Sequence, residues 1–595
     1  MRENLSSRGV IHFLYRSRTS ASLAAIAALF AASTVTQAQP VMEDPNLQVR
    51  TVVTGLETPT AMAFLGRNDL LVLEKASGKV QRVIDGVIQP VPALDLAVNS
   101  ASERGLLGIA LHPRFPREPS VYLYWTESST GADSTEESQT TLLGNRVDRF
   151  TWNGAVLTHA QDIIRIRAIQ DDVTNGRQRG NHDGGPIKFG PDGKLYIYIG
   201  DLGRRGQMQN LPDGPGPAGN QPDDQFGGPE PDDEHLSGVI LRLNDDGTAP
   251  RSNPFFRAGA LRGGEAGDNL QKVFAYGIRN GFGFAFDPFS GNLWEAQNGD
   301  DTFTELNLVN SGANLGWIQV MGPLRRIEQF KEIETSEEFF GLQQVRWSPT
   351  NIADSAHEAL SRMFWVYEGG DEFGANLVGR QEVPPVDTDA RAAARFELND
   401  DGELEYRLWA TGPIMGATMA HIHLGARAQN GPVVAFLFGP TDGDNFERGD
   451  LIAEGTITDA DVIQRPPGFT GGVAELAERI RQGRAYANLH TLAFPGGEVR
   501  GQIFITDRRP VSHYSDPEFS WKYEVAPAGV GFIKSRNLGS QYKGDLVVGA
   551  ARPTLEGGHL FRFNLTGNRR KIAVDDPRLQ DRSADNLGKF VLTES

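Results

Sequence analysis

One histidine and one aspartate, 19 positions apart, are the clearest candidates for chemistry in the sequence. His182 precedes an apolar run at 186–189, a Gly-Pro-Asp-Gly turn, and a second apolar run at 195–199 that ends at Asp201. A tight hairpin with this turn brings both residues to the same end of its two strands. A carboxylate beside an imidazole fixes its tautomer and raises its basicity, which suits a general base. The alternative is a histidine that only satisfies hydrogen bonds of the turn.

The hairpin belongs to a pattern that recurs along the chain. Each copy has an apolar run, a turn rich in Pro, Gly and Asp, and a second apolar run. Besides the central copy, such units begin at Ala61, Gly108, Gly283 and Gly531. Repeated, irregularly spaced hairpins predict the blades of a β-propeller.

Composition supports an all-β, multi-domain protein. The 595 residues include 68 glycines and 34 prolines, which favour turns and short strands over long helices. The sequence has no cysteine, which excludes disulfides, thiolate metal sites and a cysteine nucleophile.

The first 38 residues read as a secretory signal peptide. Four arginines precede an apolar run at 23–32 that is too short to span a bilayer, and a small-residue cleavage site follows. A membrane anchor is the alternative. Cleavage would remove four arginines and one glutamate, so the net charge would change from −18 to −21. We therefore expect a periplasmic or secreted protein with no stable membrane span and no nucleic-acid partner.

Several motifs resemble the soluble glucose/sorbosone dehydrogenase family. They are ERGLLGIALHPRF from Glu103, the central stretch, YGIRNGFGFAFDP from Tyr276, EAQNGDDTFTELNLVNSGANLGW from Glu295, and GDLVVGAA. The resemblance implies a six-bladed propeller that oxidises aldose sugars with pyrroloquinoline quinone (PQQ) and calcium. The small-molecule partners would be a sugar substrate and an unknown electron acceptor.

The resemblance also implies roles for individual residues. His182 matches the catalytic base, and Asp201 matches the carboxylate that orients it. Arg279 and Asn280 match a pair that contacts the quinone. A guanidinium there would stabilise the negative charge of the reduced cofactor.

Other cofactor positions depart from the family pattern. Gly299 and Asp300 fall where backbone carbonyls hold calcium in the family. Asp300 replaces a common proline, but a backbone carbonyl ligand would be retained after that change of side chain. Glu103 stands where the family often has glutamine, so it adds a negative charge near a tricarboxylate ligand. Arg552 is a displaced stand-in for a late lysine, and Arg582 is the nearest candidate for a late arginine pair.

Between 370 and 506 the propeller pattern stops. The motifs AHIH, NLHT and PGGEVRGQ resemble the CHRD domain, which implies an inserted immunoglobulin-like β-sandwich. His421 and His423 are two apart, so on a strand they face one side, and with His490 they could form a three-imidazole site for zinc or copper. The alternative is that they pack and hydrogen-bond within the sandwich.

These observations predict a domain order and three functions. The expected segments are a signal peptide at 1–38, a first propeller part at 45–365, the CHRD insert at 370–506 and a second propeller part at 510–595 that looks truncated in its last blade.

The first function is an exported quinoprotein-like sugar dehydrogenase. The second is a non-catalytic extracellular propeller that binds carbohydrate or protein, with the CHRD domain as an interaction module. The third is a lactone hydrolase that uses the same histidine and calcium.

Overall fold

A computed structural model describes most of the chain after the predicted leader. The described residues are 44–169, 180–203, 209–211, 228–300, 302–336, 351–364, 372–399, 401–463, 469–506, 512–522, 525–551, 558–573 and 583–584. The predicted signal peptide, Arg552 and Arg582 lie outside them. Residues 51–595 form one compact unit. Within the described ranges, no helix has the length and apolar character needed to cross a membrane.

Five β-sheets of three to six strands correspond to the five predicted hairpin units. Sheet 1 contains Pro59–Gly66, Asp69–Glu74, Lys79–Ile84, Val87–Ile88 and Leu94–Asp95; sheet 2 contains Leu106–Leu111, Ser120–Thr126, Asn145–Trp152 and Leu157–Ile166. Sheet 3 contains Ile187–Phe189, Leu195–Ile199, Val239–Leu243, Val273–Tyr276, Ala313–Asn314 and His513–Tyr514. Sheet 4 contains Gly283–Phe286, Leu293–Gln297, Thr304–Val309, Phe519–Trp521 and Ser583–Ala584, and sheet 5 contains Pro527–Phe532, Leu546–Ala550 and His559–Phe563.

The five sheets pack in chain order, as propeller blades do. Shared apolar cores join sheet 1 to sheet 2, sheet 2 to sheet 3, sheet 3 to sheet 4, and sheet 4 to sheet 5. The first strand of every sheet lines one cavity of about 520 Å³, to which the sheets contribute, in order, Met62, Ile109, Ile187, Phe284 and Val530. A cavity ringed by the innermost strands is the central channel of a propeller.

The segment between sheets 4 and 5 leaves and re-enters the propeller at the same place. Thr304–Val309 pairs with Phe519–Trp521 in sheet 4, and Ala313–Asn314 pairs with His513–Tyr514 in sheet 3. Strands that precede and follow residues 372–506 are therefore neighbours, which is the arrangement an inserted domain requires.

Residues 372–506 form a separate sheet of ten strands folded over its own core. The strands are Glu372–Val378, Arg391–Leu398, Leu404–Ala410, Ile414–Leu424, Val433–Phe438, Asp444–Phe446, Leu451–Ile457, Ala485–Thr491, Val499–Gln502 and Phe504–Ile505. The Tyr406 hydroxyl donates to the Leu437 carbonyl across the fold (2.9 Å), and Phe373, Leu408, Ile422 and Leu489 are buried between its two layers. This is the predicted β-sandwich.

Helices are few and short in the described ranges. The α-helices are Phe256–Arg262, Gly264–Leu270, Ile327–Thr335, Ala356–Met363 and Val473–Arg481, and the 3₁₀ turns are Leu324–Arg326, Gly379–Gln381, Asp459–Asp461 and Ser540–Tyr542. The prediction of an all-β fold that combines a propeller with a sandwich is confirmed. The described residues show five propeller sheets; residues 585–595, which precede the predicted truncation of the last blade, lie outside them.

Candidate active site

The central hairpin brings His182 and Asp201 together. Ile187 pairs with Ile197 and Phe189 pairs with Leu195, while Gly193 takes the left-handed φ of +71° that the tight turn requires. His182 Nδ1 and Asp201 Oδ1 are 2.6 Å apart, and both residues are buried. A carboxylate only accepts, so Nδ1 carries the proton and Nε2 of the neutral ring is the basic nitrogen.

Two further donors fix the carboxylate of Asp201. The backbone N–H of Gly203 donates to Oδ1 at 2.7 Å, and the indole Nε1–H of Trp317 donates to Oδ2 at 2.9 Å. Both oxygens are therefore engaged, and the carboxylate cannot rotate without breaking a hydrogen bond. The hydrogen bonds hold the imidazole of His182 in one orientation and one tautomer.

Glu103 holds the backbone of His182 in place. His182 has a φ of +61°, which is uncommon for a residue with a side chain. Its backbone N–H donates to Glu103 Oε2 at 2.7 Å, and the same oxygen accepts from Asn280 Nδ2 at 3.0 Å. The sequence predicted Glu103 as a charge near a cofactor; the structure makes it a bridge between the histidine loop and Asn280.

Arg279 and Asn280 lie directly beside this pair. The carbonyl of Arg279 accepts from the backbone N–H of Asp201 at 2.7 Å, and its guanidinium lies 5.7 Å from the ring centre of Trp317. That guanidinium forms a buried ion pair with Asp300, with Nη2 and Oδ1 at 2.7 Å. Asn280 Oδ1 is buried and, among the described residues, accepts no hydrogen bond.

Gly299 and Asp300 lie in a close-packed connection between the second and third strands of sheet 4, Leu293–Gln297 and Thr304–Val309. A Cβ on Gly299 would lie 2.2 Å from the Thr302 carbonyl oxygen and 2.9 Å from that of Phe303, so only glycine fits. The carbonyl oxygens of Thr302 and Phe303 therefore both lie against Gly299. Oxygen ligands of this kind are the class that calcium prefers.

A second buried carboxylate follows His182 in the sequence. Asp183 Oδ1 accepts from Asn145 Nδ2 at 2.9 Å, while its Oδ2 is buried and has no partner among the described residues. Burial raises the pKa of Asp183 to about 6, and the Arg104 guanidinium opposes this shift. Burial thus outweighs the nearby cation in setting the pKa of Asp183.

Three contacts of this site were not predicted from the sequence. Trp317 supports Asp201, Gln297 Oε1 accepts from the backbone N–H of Arg279 at 2.6 Å, and Asp300 pairs with Arg279. Trp317 lies 116 positions from Asp201, and no periodicity or local spacing reports such a contact. In the sandwich, the structure brings the predicted residues His421, His423 and His490 together.

Both parts of the chain are similar to known proteins. A sequence model described as glucose/sorbosone dehydrogenase matches residues 56–365, and a CHRD domain model matches residues 373–503. An uncharacterized protein of Synechocystis is 31% identical over 292 residues, covering 46% of this chain and 59% of that protein. Quinoprotein glucose dehydrogenase B of Acinetobacter calcoaceticus is 26% identical over 395 residues, covering 64% of this chain and 72% of that protein.

Among solved structures, a PQQ-bound aldose sugar dehydrogenase from Streptomyces coelicolor is 30% identical, with a TM-score of 0.34. The alignment covers 46% of this chain and 66% of that one. The chain thus spans somewhat less than two thirds of the Synechocystis protein and of the Streptomyces structure.

Proposed function

Because the chain belongs to the glucose/sorbosone dehydrogenase family, we propose that its propeller is an exported, periplasmic or secreted oxidoreductase. It oxidises the C1 hydroxyl of aldose-type sugars by hydride transfer to PQQ. The observation that carries this proposal is the buried His182–Asp201 pair, with its 2.6 Å hydrogen bond.

The pair is arranged for general-base catalysis. Asp201 keeps the proton on Nδ1, so Nε2 of His182 accepts the proton of the C1 hydroxyl as the C1 hydrogen leaves with its electron pair. The carboxylate then stabilises the imidazolium that forms. The donors Gly203 N–H and Trp317 Nε1–H keep the Asp201 carboxylate correctly directed throughout.

The residues beside the pair fit a quinone cofactor. Arg279 provides a buried guanidinium, and Asn280 provides a buried carbonyl oxygen that accepts no hydrogen bond from the described residues. Gly200 packs against this oxygen, since a Cβ there would lie 2.7 Å from Asn280 Oδ1. Arg279 and Asn280 would hold PQQ, with Arg552 as a further candidate outside the described residues.

Gly299 and Asp300 would hold a calcium ion through their backbone carbonyls, as the family resemblance implies, and the Thr302 and Phe303 carbonyls lie against the same glycine. When bound, PQQ would supply the electrophilic carbonyl that takes the hydride, and Ca²⁺ would polarise that carbonyl. The Arg279–Asp300 ion pair fixes the guanidinium next to this connection. The protein's own contribution is therefore orientation, proton removal and a buried cationic group.

A non-catalytic binding propeller is the second candidate, and two contacts favour it. Glu103 engages the side-chain donor of Asn280, and Asp300 engages Arg279. Both carboxylates stand where the family resemblance implies uncharged residues, so both reduce the positive charge offered to a tricarboxylate. The two candidates differ in a measurable property, which is cofactor binding.

The test is dye-linked oxidation of a panel of aldoses by the purified full-length protein. PQQ and Ca²⁺ are added together and each is omitted in turn. We expect dye reduction that requires both. A folded protein that neither binds PQQ nor reduces dye would support the binding function instead, and lactone turnover without any electron acceptor would indicate the hydrolase.

A further inference from the structure

Three histidines share one face of the sandwich. His421 and His423 lie on Ile414–Leu424, and His490 lies on the neighbouring strand Ala485–Thr491. Met419 pairs with His490 and His421 pairs with Asn488, so all three imidazoles project from the same side of the sheet. The alternate residues of these strands, such as Ile422 and Leu489, face the core. The histidines therefore lie outside the main apolar core.

Their nitrogens are close enough to bind a single ion. One ring nitrogen from each histidine lies within 4.8 Å of the other two, and His421 Nδ1 is 3.3 Å from His490 Nε2. Two nitrogens at about 2.0–2.1 Å from a tetrahedral zinc ion are about 3.3–3.4 Å apart. The His421–His490 separation already has this value.

Hydrogen bonds set the tautomers of two of the rings. His423 Nδ1 donates to the Gly431 carbonyl at 2.9 Å, and His490 Nδ1 donates to the Pro495 carbonyl at 2.8 Å. Because a carbonyl only accepts, the Nε2 atoms of both neutral rings carry lone pairs. A backbone carbonyl that binds the far nitrogen of an imidazole is the usual outer partner of a metal-ligating histidine.

Neighbouring rings hold the cluster rigid. His423 stacks on Tyr486 with centroids 4.8 Å apart, and the Arg500 guanidinium lies 3.4 Å from the centre of the Tyr486 ring on which His423 stacks. His421 packs edge-on against Phe436 at 4.5 Å. Fixed rings lose little freedom when an ion binds, which favours affinity.

Packing alone leaves one atom unexplained. A direct hydrogen bond between His421 and His490 would account for their contact, but His423 Nε2 is buried and has no partner among the described residues. A buried polar atom without a partner costs about 1–3 kcal/mol. A metal ion would satisfy all three nitrogens at once.

We infer that His421, His423 and His490 bind one divalent late first-row transition metal ion, Zn²⁺ or Cu²⁺, on the CHRD sandwich. Imidazole nitrogens suit both ions. Three protein ligands leave a coordination position for water or for a small ligand. The site is independent of the sugar oxidation proposed for the propeller.

The test is metal titration of the full-length, chelator-treated protein with Zn²⁺ and, separately, with Cu²⁺. A chromophoric competitor reports affinity, and the electron paramagnetic resonance spectrum of Cu²⁺ reports nitrogen coordination. His423→Gln and His490→Gln remove ligands, whereas His513→Gln removes an exposed histidine of sheet 3 and is the matched control. His421 is only 4% exposed, so it is left unchanged to avoid disturbing the fold.

We expect the wild type to bind one equivalent of metal. Either ligand variant should bind it about 100-fold more weakly or worse, and the control should bind it with unchanged affinity. Zinc should also raise the melting temperature of the wild type but not that of folded His490→Gln. Equal affinity in the wild type and both ligand variants would overturn the site. So would the absence of stoichiometric binding to the wild type.

Discussion

Replacing Asp201 by asparagine separates the charge of this residue from its shape. The amide oxygen can keep the two bonds at the Oδ1 position, from His182 Nδ1–H and Gly203 N–H. The amide NH₂ then faces the Trp317 Nε1–H, where a donor meets a donor. The opposite orientation would lose two bonds rather than one. Asp201→Asn should therefore preserve the His182 tautomer at the cost of the Trp317 contact.

What the variant loses is the negative charge next to the imidazolium. Two unit charges about 4 Å apart interact by about 4 kcal/mol at an effective dielectric constant of about 20. Because the hydrogen bond persists, we expect a loss of about 2–4 kcal/mol, or about 30- to 1,000-fold in kcat. Asp201 is only 2% exposed and acts through His182, so KM for the sugar should change little. Steady-state dye reduction with saturating PQQ and Ca²⁺ measures both constants.

Trp317→Phe provides the control because it removes the opposing donor and keeps an aromatic ring beside Arg279. The double variant Asp201→Asn, Trp317→Phe should be more stable to heat than Asp201→Asn, yet equally slow. A kcat within about threefold of wild type in Asp201→Asn would refute the role assigned to the carboxylate. Recovery of kcat in the double variant would show that the defect is structural.

Two further predictions concern Glu103, which is half-buried, and Glu295, which is fully buried. Glu103→Gln retains an oxygen for the N–H groups of His182 and Asn280 but removes a negative charge. It should tighten PQQ binding about 5- to 30-fold in equilibrium dialysis, an electrostatic gain of about 1–2 kcal/mol, and unchanged or weaker binding would contradict this. Burial raises the pKa of Glu295 to about 7. Between about pH 4.5 and 7 the folded protein therefore keeps a proton on Glu295 that the unfolded chain has released. Because of this difference, Glu295 lowers the stability of the fold as the pH rises through that range. Glu295→Gln should therefore be more stable than wild type in urea at pH 8, by about 2–3 kcal/mol, with no gain at pH 4; an equal gain at both pH values would exclude titration as the cause.

Local patterns predicted the parts of the fold that are close in sequence. The turn before Leu195–Ile199 and the apolar runs on either side specify the central hairpin, and similar signals locate all five propeller sheets. The alternation around His421 and His423 likewise placed both residues on one strand face. These features follow from strand periodicity and turn chemistry, which are readable from a single sequence.

Contacts between distant segments could not be predicted in this way. Glu103 reaches His182 across 79 positions and Asn280 across 177, and its role in holding the loop depends on how sheets 2, 3 and 4 pack. The pairing of Phe519–Trp521 with Thr304–Val309 depends on the whole insert returning to its starting point. Such contacts are fixed by packing of complete sheets rather than by any local preference.

The most direct test of sugar oxidation at His182 is a comparison of C1-deuterated and ordinary aldose. Sugar is mixed rapidly with wild-type or His182→Gln protein that has been loaded with PQQ and Ca²⁺, and the reduction of PQQ is monitored over time. We predict a primary isotope effect in the wild type and a rate lower by about 10²- to 10⁴-fold in the variant, which is the usual contribution of a general base. Wild-type rates in a folded, PQQ-loaded His182→Gln protein would contradict the assignment of His182 as the base.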